Sequence, residues 1–227
     1  MRPFTFINLA ISIDGKISTF DRKLQAFGGI EDQELMEDLR AKADAIMIGG
    51  QTMRDEDILL TVRSPERIAQ RLAANRDRQP WSVVVSQSLN LTTENSQFFQ
   101  SQNSRKLLFT SELQSKNRRE EFSKFAEVYT VPETTQGLDL AALCNHIHLM
   151  GVRQLLLEGG GVLNFSMLAA KLVDEIYLTV CPYIFGGYDS PSAVSGKGFP
   201  ANEFPELELL NSRFGLNDRL FLHYRCR

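Results

Sequence analysis

Three stretches place residues capable of chemistry directly after apolar runs. In "LLLEGGGVLNFSML" (155–168), one acid, Glu158, precedes Gly159, Gly160 and Gly161, and an amphipathic segment follows. Glycines where a strand hands over to a helix tolerate φ > 0 and let main-chain N–H groups close on a ligand. The helix N-terminus beyond them carries unpaired N–H groups and a partial positive charge, which suits a phosphate or pyrophosphate. Val162, Leu163 and Asn164 open that helix, and Asn164 and Ser166 can add hydrogen bonds. Glu158 is a poor phosphate ligand and a better partner for the hydroxyls or amines of a second molecule. The competing reading is a tight turn with close helix–sheet packing. The spacing is not the dinucleotide fingerprint G-x-G-x-x-G, because Asn164 stands where a small residue is required.

The second stretch, "MIGGQTMRDEDILLTVR" (47–63), repeats the logic. Gly49 and Gly50 end an apolar run, Thr52 offers a hydroxyl, and Arg54 and Arg63 offer planar cations for phosphate. Asp55, Glu56 and Asp57 crowd between them, able to hold sugar hydroxyls or to neutralise the arginines; a solvated loop is the plainer alternative. The third, "AISIDGKIST" (10–19), has the Asp14-Gly15-Lys16 composition of a tight turn. "CNHIH" (144–148) invites a metal reading. However, His146 and His148 lie two apart on an expected helix and point to different faces, so no metal is expected.

The elements that must position these residues alternate. Strands are expected at 4–11, 45–50, 81–86, 105–110, 126–131, 153–158 and 174–185, with helices at 31–43, 66–75, 114–125, 138–151 and 161–172. The polar run 92–104 reads as a surface connection, and 207–215 with 219–227 as an antiparallel hairpin around "GLND". The pattern predicts one α/β domain with a mainly parallel sheet and antiparallel edge strands. In such sheets ligands lie off the carboxyl ends of the strands, where the glycines are. The net charge of −3 over 227 residues argues against a nucleic-acid or anionic-membrane partner. No apolar run approaches the ~20 residues that span a bilayer. Cys144, Cys181 and Cys226 are scattered and odd in number, which fits a reducing cytoplasm.

Together the three sites resemble the reductase domain of riboflavin biosynthesis, whose three-layer fold is related to that of dihydrofolate reductase. The matching stretches are "SIDGKIST", "LRAKADAIMIGGQT", "LLTVR", "LLLEGGGVLNFSML" and "LVDEIYLTVCPYIFGGYDSPSAVSGKGF", in that order between Phe4 and Tyr224. The resemblance implies a single reductase domain over residues 1–227 without the zinc deaminase that bacterial members carry. It implies reduction of the ribosyl group of a 5′-phosphoribosylamino-pyrimidine to ribityl with NADPH, NADH being the other candidate, in a cytoplasmic homodimer. Ala10 then looks like the backbone contact to the nicotinamide. Thr52, Glu56, Ser86 and the run Gly159–Asn164 look like further cofactor contacts, with Arg54, Ser86 and Ser88 available to an adenosine 2′-phosphate. Arg40, Leu60, Arg63, Asn8 and Glu158 look like substrate contacts. Opening the sugar needs an acid, for which Glu158 is the first candidate and Asp14 and Asp57 the alternatives.

The chain departs from the family pattern in places. Asn8 replaces a lysine of the bacterial two-domain members, "EDI" (56–58) replaces a D-D-P turn, and Ser86-Gln87-Ser88 replaces Asp-Ser. "KLQAFGG" (23–29), with Phe27, corresponds to the segment covering the nicotinamide. These departures leave two rivals: a reductase of the same fold acting on a pteridine, dihydrofolate or other small heterocycle, and a non-catalytic nucleotide-binding protein.

Overall fold

The structure, a computed structural model, describes residues 1–23 and 26–227. Along the chain run β1 (Phe4–Ser12), α1 (Ile30–Lys42), β2 (Ala45–Gly49), α2 (Gly50–Glu56), α3 (Pro65–Ala73) and β3 (Trp81–Val85). Next come α4 (Gln97–Gln100), β4 (Lys106–Ser111), α5 (Lys116–Phe122), β5 (Glu127–Val131), β6 (Glu133–Thr134), β7 (Gly137–Leu138) and α6 (Leu140–Leu149). The chain ends with β8 (Gln154–Leu157), α7 (Gly161–Ala169), β9 (Glu175–Cys181), β10 (Leu207–Phe214) and β11 (Leu220–Cys226). It divides into two compact units, one made of Met1–Pro3 and Arg40–Leu156, the other of Phe4–Leu39 and Leu157–Arg227.

In the first unit the strands lie in the order β8, β2, β3, β4, β5, and β2 through β5 pair in parallel. The inner strands β2, β3 and β4 are buried on both faces, which is why "AIMI", "VVV" and "LLF" read as continuous apolar runs rather than alternating ones. Helix α3 starts where Ser64 accepts a hydrogen bond from the Arg67 amide and Pro65 takes the first turn. Its Arg71 is 2% exposed. The Arg71 guanidinium donates to the carbonyls of Arg40, Ala41 and Ala43 and, through Nε, to that of Asp77. The last carbonyls of α1 thereby gain a cationic partner in place of water.

The second unit has strand order β10, β11, β9, β1. Strands β1 and β9 are parallel, whereas β11 runs antiparallel to β9 and β10 to β11. The hairpin turn between β10 and β11 has Asn217 and Asp218 at φ 55° and 58°, the two positive values a tight hairpin requires. Beyond the hairpin, β10 exposes Leu207, Leu209 and Phe214. The fold class is therefore the expected one: α/β, mainly parallel, with an antiparallel C-terminal edge. Two short helices were not expected. Helix α2 occupies 50–56, read from sequence as loop, and α4 lies inside the polar run 92–104.

Candidate active site

In the second unit, the three glycines have three different surroundings. Gly159 has φ +99°, a conformation that side chains rarely adopt, and a Cβ there would meet nothing closer than Asn164 Nδ2 at 3.8 Å. The Gly159–Gly160 peptide is cis. Gly160 is the N-cap of α7 and supplies no side-chain cap, so the first amides of α7 have no acceptor in their own helix. Gly161 is small for another reason: a Cβ would lie 2.2 Å from the Ser192 carbonyl oxygen and 2.8 Å from Ser195 Oγ. The segment 190–195 is fastened here. The Ser195 amide donates to the Gly161 carbonyl at 2.9 Å, and Asn164 Nδ2 donates to the Ala193 carbonyl at 2.8 Å. Asn164 is fully buried, and its Oδ1 has no hydrogen-bond partner. Ser166 donates to the Val162 carbonyl within the helix. Val162 is exposed, Leu163 is buried, and Glu158 is half-buried directly after β8.

The turn after β1 is tied to the same segment. Asp14 accepts from Ser12 Oγ at 2.6 Å, from the Gly186 amide at 2.8 Å and from the Phe185 amide at 3.1 Å. The Ser12 hydroxyl, and then the two amides, hold its carboxyl down to about 2. An acid held ionised in this way is unsuited to giving a proton near neutrality, so Asp14 serves as a staple. Lys16, not singled out from sequence, donates Nζ to Ser192 Oγ at 3.1 Å and to the Ser190 carbonyl at 3.2 Å. It thereby steadies the segment that packs on Gly161.

Ala10 lies beside Thr179 in the β1–β9 register, and Asn8 beside Tyr177. Residues two apart on a strand share a face, so Asn8, Ala10 and Thr179 look out of the same side of this strand pair. Asn8 Oδ1 and Thr179 Oγ1 are both buried and both without a hydrogen-bond partner. Of the segment 23–29, residues 24 and 25 lie outside those described. Phe27 sits edge-on to Phe185, 5.0 Å between ring centres.

In the first unit, the run 57–63 lies outside the regular elements and is clamped. Arg40, 4% exposed, donates to the Thr61 carbonyl at 3.0 Å and the Leu59 carbonyl at 3.3 Å. Gln79 grips Val62 on both sides, accepting from its amide and donating to its carbonyl. Leu60 is buried. Arg63 follows, exposed, just before the Ser64 cap. The geometry separates the two arginines read as phosphate contacts: Arg40 braces the run and Arg63 is presented by it.

Asp57 ends α2 in a left-handed conformation. Its carboxylate accepts from Ser96 Oγ at 2.6 Å and from the Gln97 and Phe98 amides at 2.7 and 3.3 Å. It caps α4, and nothing in this arrangement prepares it as a proton donor. Thr52 is half-buried in the first turn of α2, and Glu56 is exposed at its last. Ser86 is buried against Gly50, whose Cβ would lie 2.9 Å from the Ser86 hydroxyl. Arg54 donates to the Asn90 carbonyl, and Ser88 Oγ accepts from the Asn90 amide. In α6 Cys144 is buried, His146 packs on Tyr129 and His148 lies by Arg153. Among the described residues no group of three His, Cys, Asp or Glu is placed to hold a metal ion.

An uncapped helix start behind a left-handed glycine, beside strands with unpartnered polar atoms, is a binding arrangement for an anion and a polar ligand. A family model described as the RibD C-terminal domain matches residues 3–220. The chain belongs to this family. It is 37% identical over 201 residues to the 2,5-diamino-6-ribosylamino-4(3H)-pyrimidinone 5′-phosphate reductase of Archaeoglobus fulgidus, covering 88% of this chain and 89% of that one. It is 35% identical over 228 residues to the reductase of the same name from Methanothermobacter thermautotrophicus, covering 100% of both. Its fold is shared with a pyrimidine reductase-like protein of Corynebacterium diphtheriae, at TM-score 0.81 and 23% identity over 99% of this chain and 92% of that one.

Proposed function

We infer that this chain is an oxidoreductase of riboflavin biosynthesis that reduces the ribosyl group of a 5′-phosphoribosylamino-pyrimidine to ribityl. The carrying observation is the likeness over the full length to reductases named for that substrate. NADPH is the proposed reductant. The residues fit such a group: main-chain donors stand uncapped at the start of α7, behind a glycine in a conformation that side chains rarely adopt. Gly160, Gly161, Val162 and Leu163 would hold its phosphates and Ala10 its carboxamide. When bound, the nicotinamide supplies the hydride.

The chain's own residues do the rest. Arg63 holds the substrate phosphate through charge-assisted hydrogen bonds, on a run kept rigid by Arg40 and Gln79. Asn8 offers its unpartnered oxygen to the substrate. Opening the sugar requires a proton at the ring oxygen while the exocyclic nitrogen forms the C=N bond. Glu158, half-buried at the end of β8, is the proposed donor, and Asp14 and Asp57 are set aside because their carboxylates serve as staple and cap. The matched stretch runs through both units, which supports reading residues 1–227 as one reductase. The exposed apolar strand β10 supports a homodimer formed there. Cysteines held outside any disulfide among the described residues support a cytoplasmic setting; among the described residues no helix is long and apolar enough to cross a membrane.

The test is oxidation of NADPH in the presence of the phosphoribosylamino-pyrimidine, with Glu158→Gln beside the wild type. Turnover by the wild type and a loss of about 10²–10⁴-fold in the variant, at little-changed cofactor affinity, are expected. Turnover of a dihydropteridine alone, or tight NADPH binding with no turnover, would overturn the reading.

A further inference from the structure

The segment 190–195 belongs to no helix or strand, yet it sets the surroundings of Gly161, and ties within the second unit hold it from two sides. On one side the Ser195 amide donates to the Gly161 carbonyl at 2.9 Å, and Asn164 Nδ2 to the Ala193 carbonyl at 2.8 Å. On the other side stands the turn after β1. Lys16 and Ser192 form an isolated antiparallel bridge. The Ile17 amide donates to the Pro191 carbonyl at 2.8 Å, and the Ala193 amide to the Gly15 carbonyl at 3.1 Å. Lys16 adds its side chain, donating Nζ to Ser192 Oγ at 3.1 Å and to the Ser190 carbonyl at 3.2 Å. Ser192 therefore stands between Lys16 and Gly161. Its hydroxyl takes the ammonium, and its carbonyl oxygen lies where a Cβ at 161 would begin. Slack at Lys16 passes through one residue to the start of α7.

The turn itself does not call for a lysine. Gly15, at φ +77°, suits a tight turn, and the main-chain bonds of Gly15 and Ile17 already join it to the segment. Both acceptors of the Lys16 ammonium are neutral, and the side chain is half-buried. Drawing a charge partly out of water costs free energy that neutral oxygens return only in part. A neutral side chain could make the same fastening at smaller cost. The start of α7 has the same sign, because its uncapped amides form the positive end of the helix dipole. A cation and a helix start of like sign, joined through one residue, favour each other only once an anion lies there. We propose that Lys16 is a positioning residue for the dinucleotide: acting through Ser192, it holds the start of α7 in the geometry that receives the cofactor's phosphates. This rests on the function proposed above and deepens it. Lys16 is assigned no contact with the reacting atoms, so its removal acts on cofactor binding and spares the chemical step.

Two measurements on the full chain test this, with the wild type beside Lys16→Met, Lys16→Arg, Ser192→Ala and the double variant Lys16→Met/Ser192→Ala. The first is a fluorescence titration with NADPH in the absence of substrate, which needs no turnover. The second is steady-state kinetics that separate kcat, KM for NADPH and KM for the phosphoribosylamino-pyrimidine. Lys16→Met keeps the aliphatic stem and removes the ammonium. It is expected to raise Kd and KM for NADPH by about 10-fold or more, the size of one charge-assisted contact, with kcat and the pyrimidine KM within about 3-fold of wild type. Lys16→Arg is expected to recover most of the affinity. Ser192→Ala should weaken NADPH binding in the same direction, and the double variant should bind no worse than Lys16→Met, because the two residues act along one path. If Lys16→Met lowers the melting temperature but leaves Kd for NADPH unchanged, Lys16 is a plain fastening and the assignment is overturned while the proposed reduction stands. Full additivity of the two losses, or a Lys16→Arg variant as weak as Lys16→Met, overturns it equally. If Lys16→Met does not fold, Ser192→Ala decides, and an unchanged Kd there sinks the proposal. Failure of the wild type to bind NADPH or to reduce the pyrimidine would instead remove the function itself.

Discussion

The carbonyl oxygen of Ser192 occupies the place where a side chain at Gly161 would begin, 2.2 Å from an ideal Cβ. The atom in the way is backbone, held by Lys16 and by the Ser195–Gly161 hydrogen bond, so it has little room to yield. Gly161→Ala is therefore expected to destabilise the fold by about 1–3 kcal/mol, the usual cost of overpacking. It should also weaken NADPH binding, because the start of α7 must shift. Urea unfolding and a fluorescence titration with NADPH check the two effects; an unchanged unfolding midpoint would contradict the close approach.

Gly159→Ala fails for a different reason. No atom lies within ordinary contact distance except Asn164 Nδ2 at 3.8 Å, but φ is +99°. A side chain held in so sparsely populated a region costs on the order of 1–3 kcal/mol. An Asn substitution, which tolerates positive φ better, is expected to melt higher than the Ala variant.

The two arginines should separate cleanly. Arg63→Ala is expected to raise KM for the phosphorylated substrate by about 10- to 100-fold, from a charge-assisted bond of about 1.5–3 kcal/mol, with a smaller loss of stability than Arg40→Ala. Arg40→Ala leaves the Leu59 and Thr61 carbonyls without their donor, and is expected to lose about 1–3 kcal/mol of stability. Steady-state kinetics and thermal melts on both variants read the difference. A fall in stability for Arg63→Ala equal to that for Arg40→Ala would refute it.

Asp57→Ala removes the acceptor of the first two amides of α4 while the N-cap Ser96 keeps its bond from Phe99, and should cost about 0.5–2 kcal/mol, as lost capping contacts do. Hydrogen exchange should quicken at the Gln97 and Phe98 amides, its hydrogen-bond donors.

The Asp14 carboxyl is depressed from 3.8 to about 2. A depressed acid stabilises the fold above its unfolded value, and that contribution is lost as the pH falls through the folded one. The melting-temperature gap between wild type and Asp14→Asn is thus expected to be constant from neutrality to about pH 4 and to close between 3.8 and about 2. A gap that persists unchanged at the acid end would show that the hydrogen bonds from Ser12, Phe185 and Gly186 are not its source.

Much of the fold was legible because long buried strands announce themselves. "AIMIG", "WSVVV" and "KLLFTS" lie where apolar runs predict, and Asp139 and Ser64 cap helices as their residue types suggest. Helix α2 was hidden because "GQTMRDE" buries only Gly50 and Met53, leaving no apolar period to read. The family resemblance supplied the site residues, but their individual tasks were not readable. Asp14, Asp57 and Gly161 are defined by partners far along the chain: Gly186, Ser96 and Ser192.

Arg71 makes two helices answer to each other. Because its guanidinium closes the end of α1 from a position on α3, the segment 65–78 is not an exchangeable module. A chimaera that imports that segment with lysine at this position would bring a compact ammonium to carbonyls arranged for a planar fork, and the terminus of α1 would fray although none of its own residues had changed.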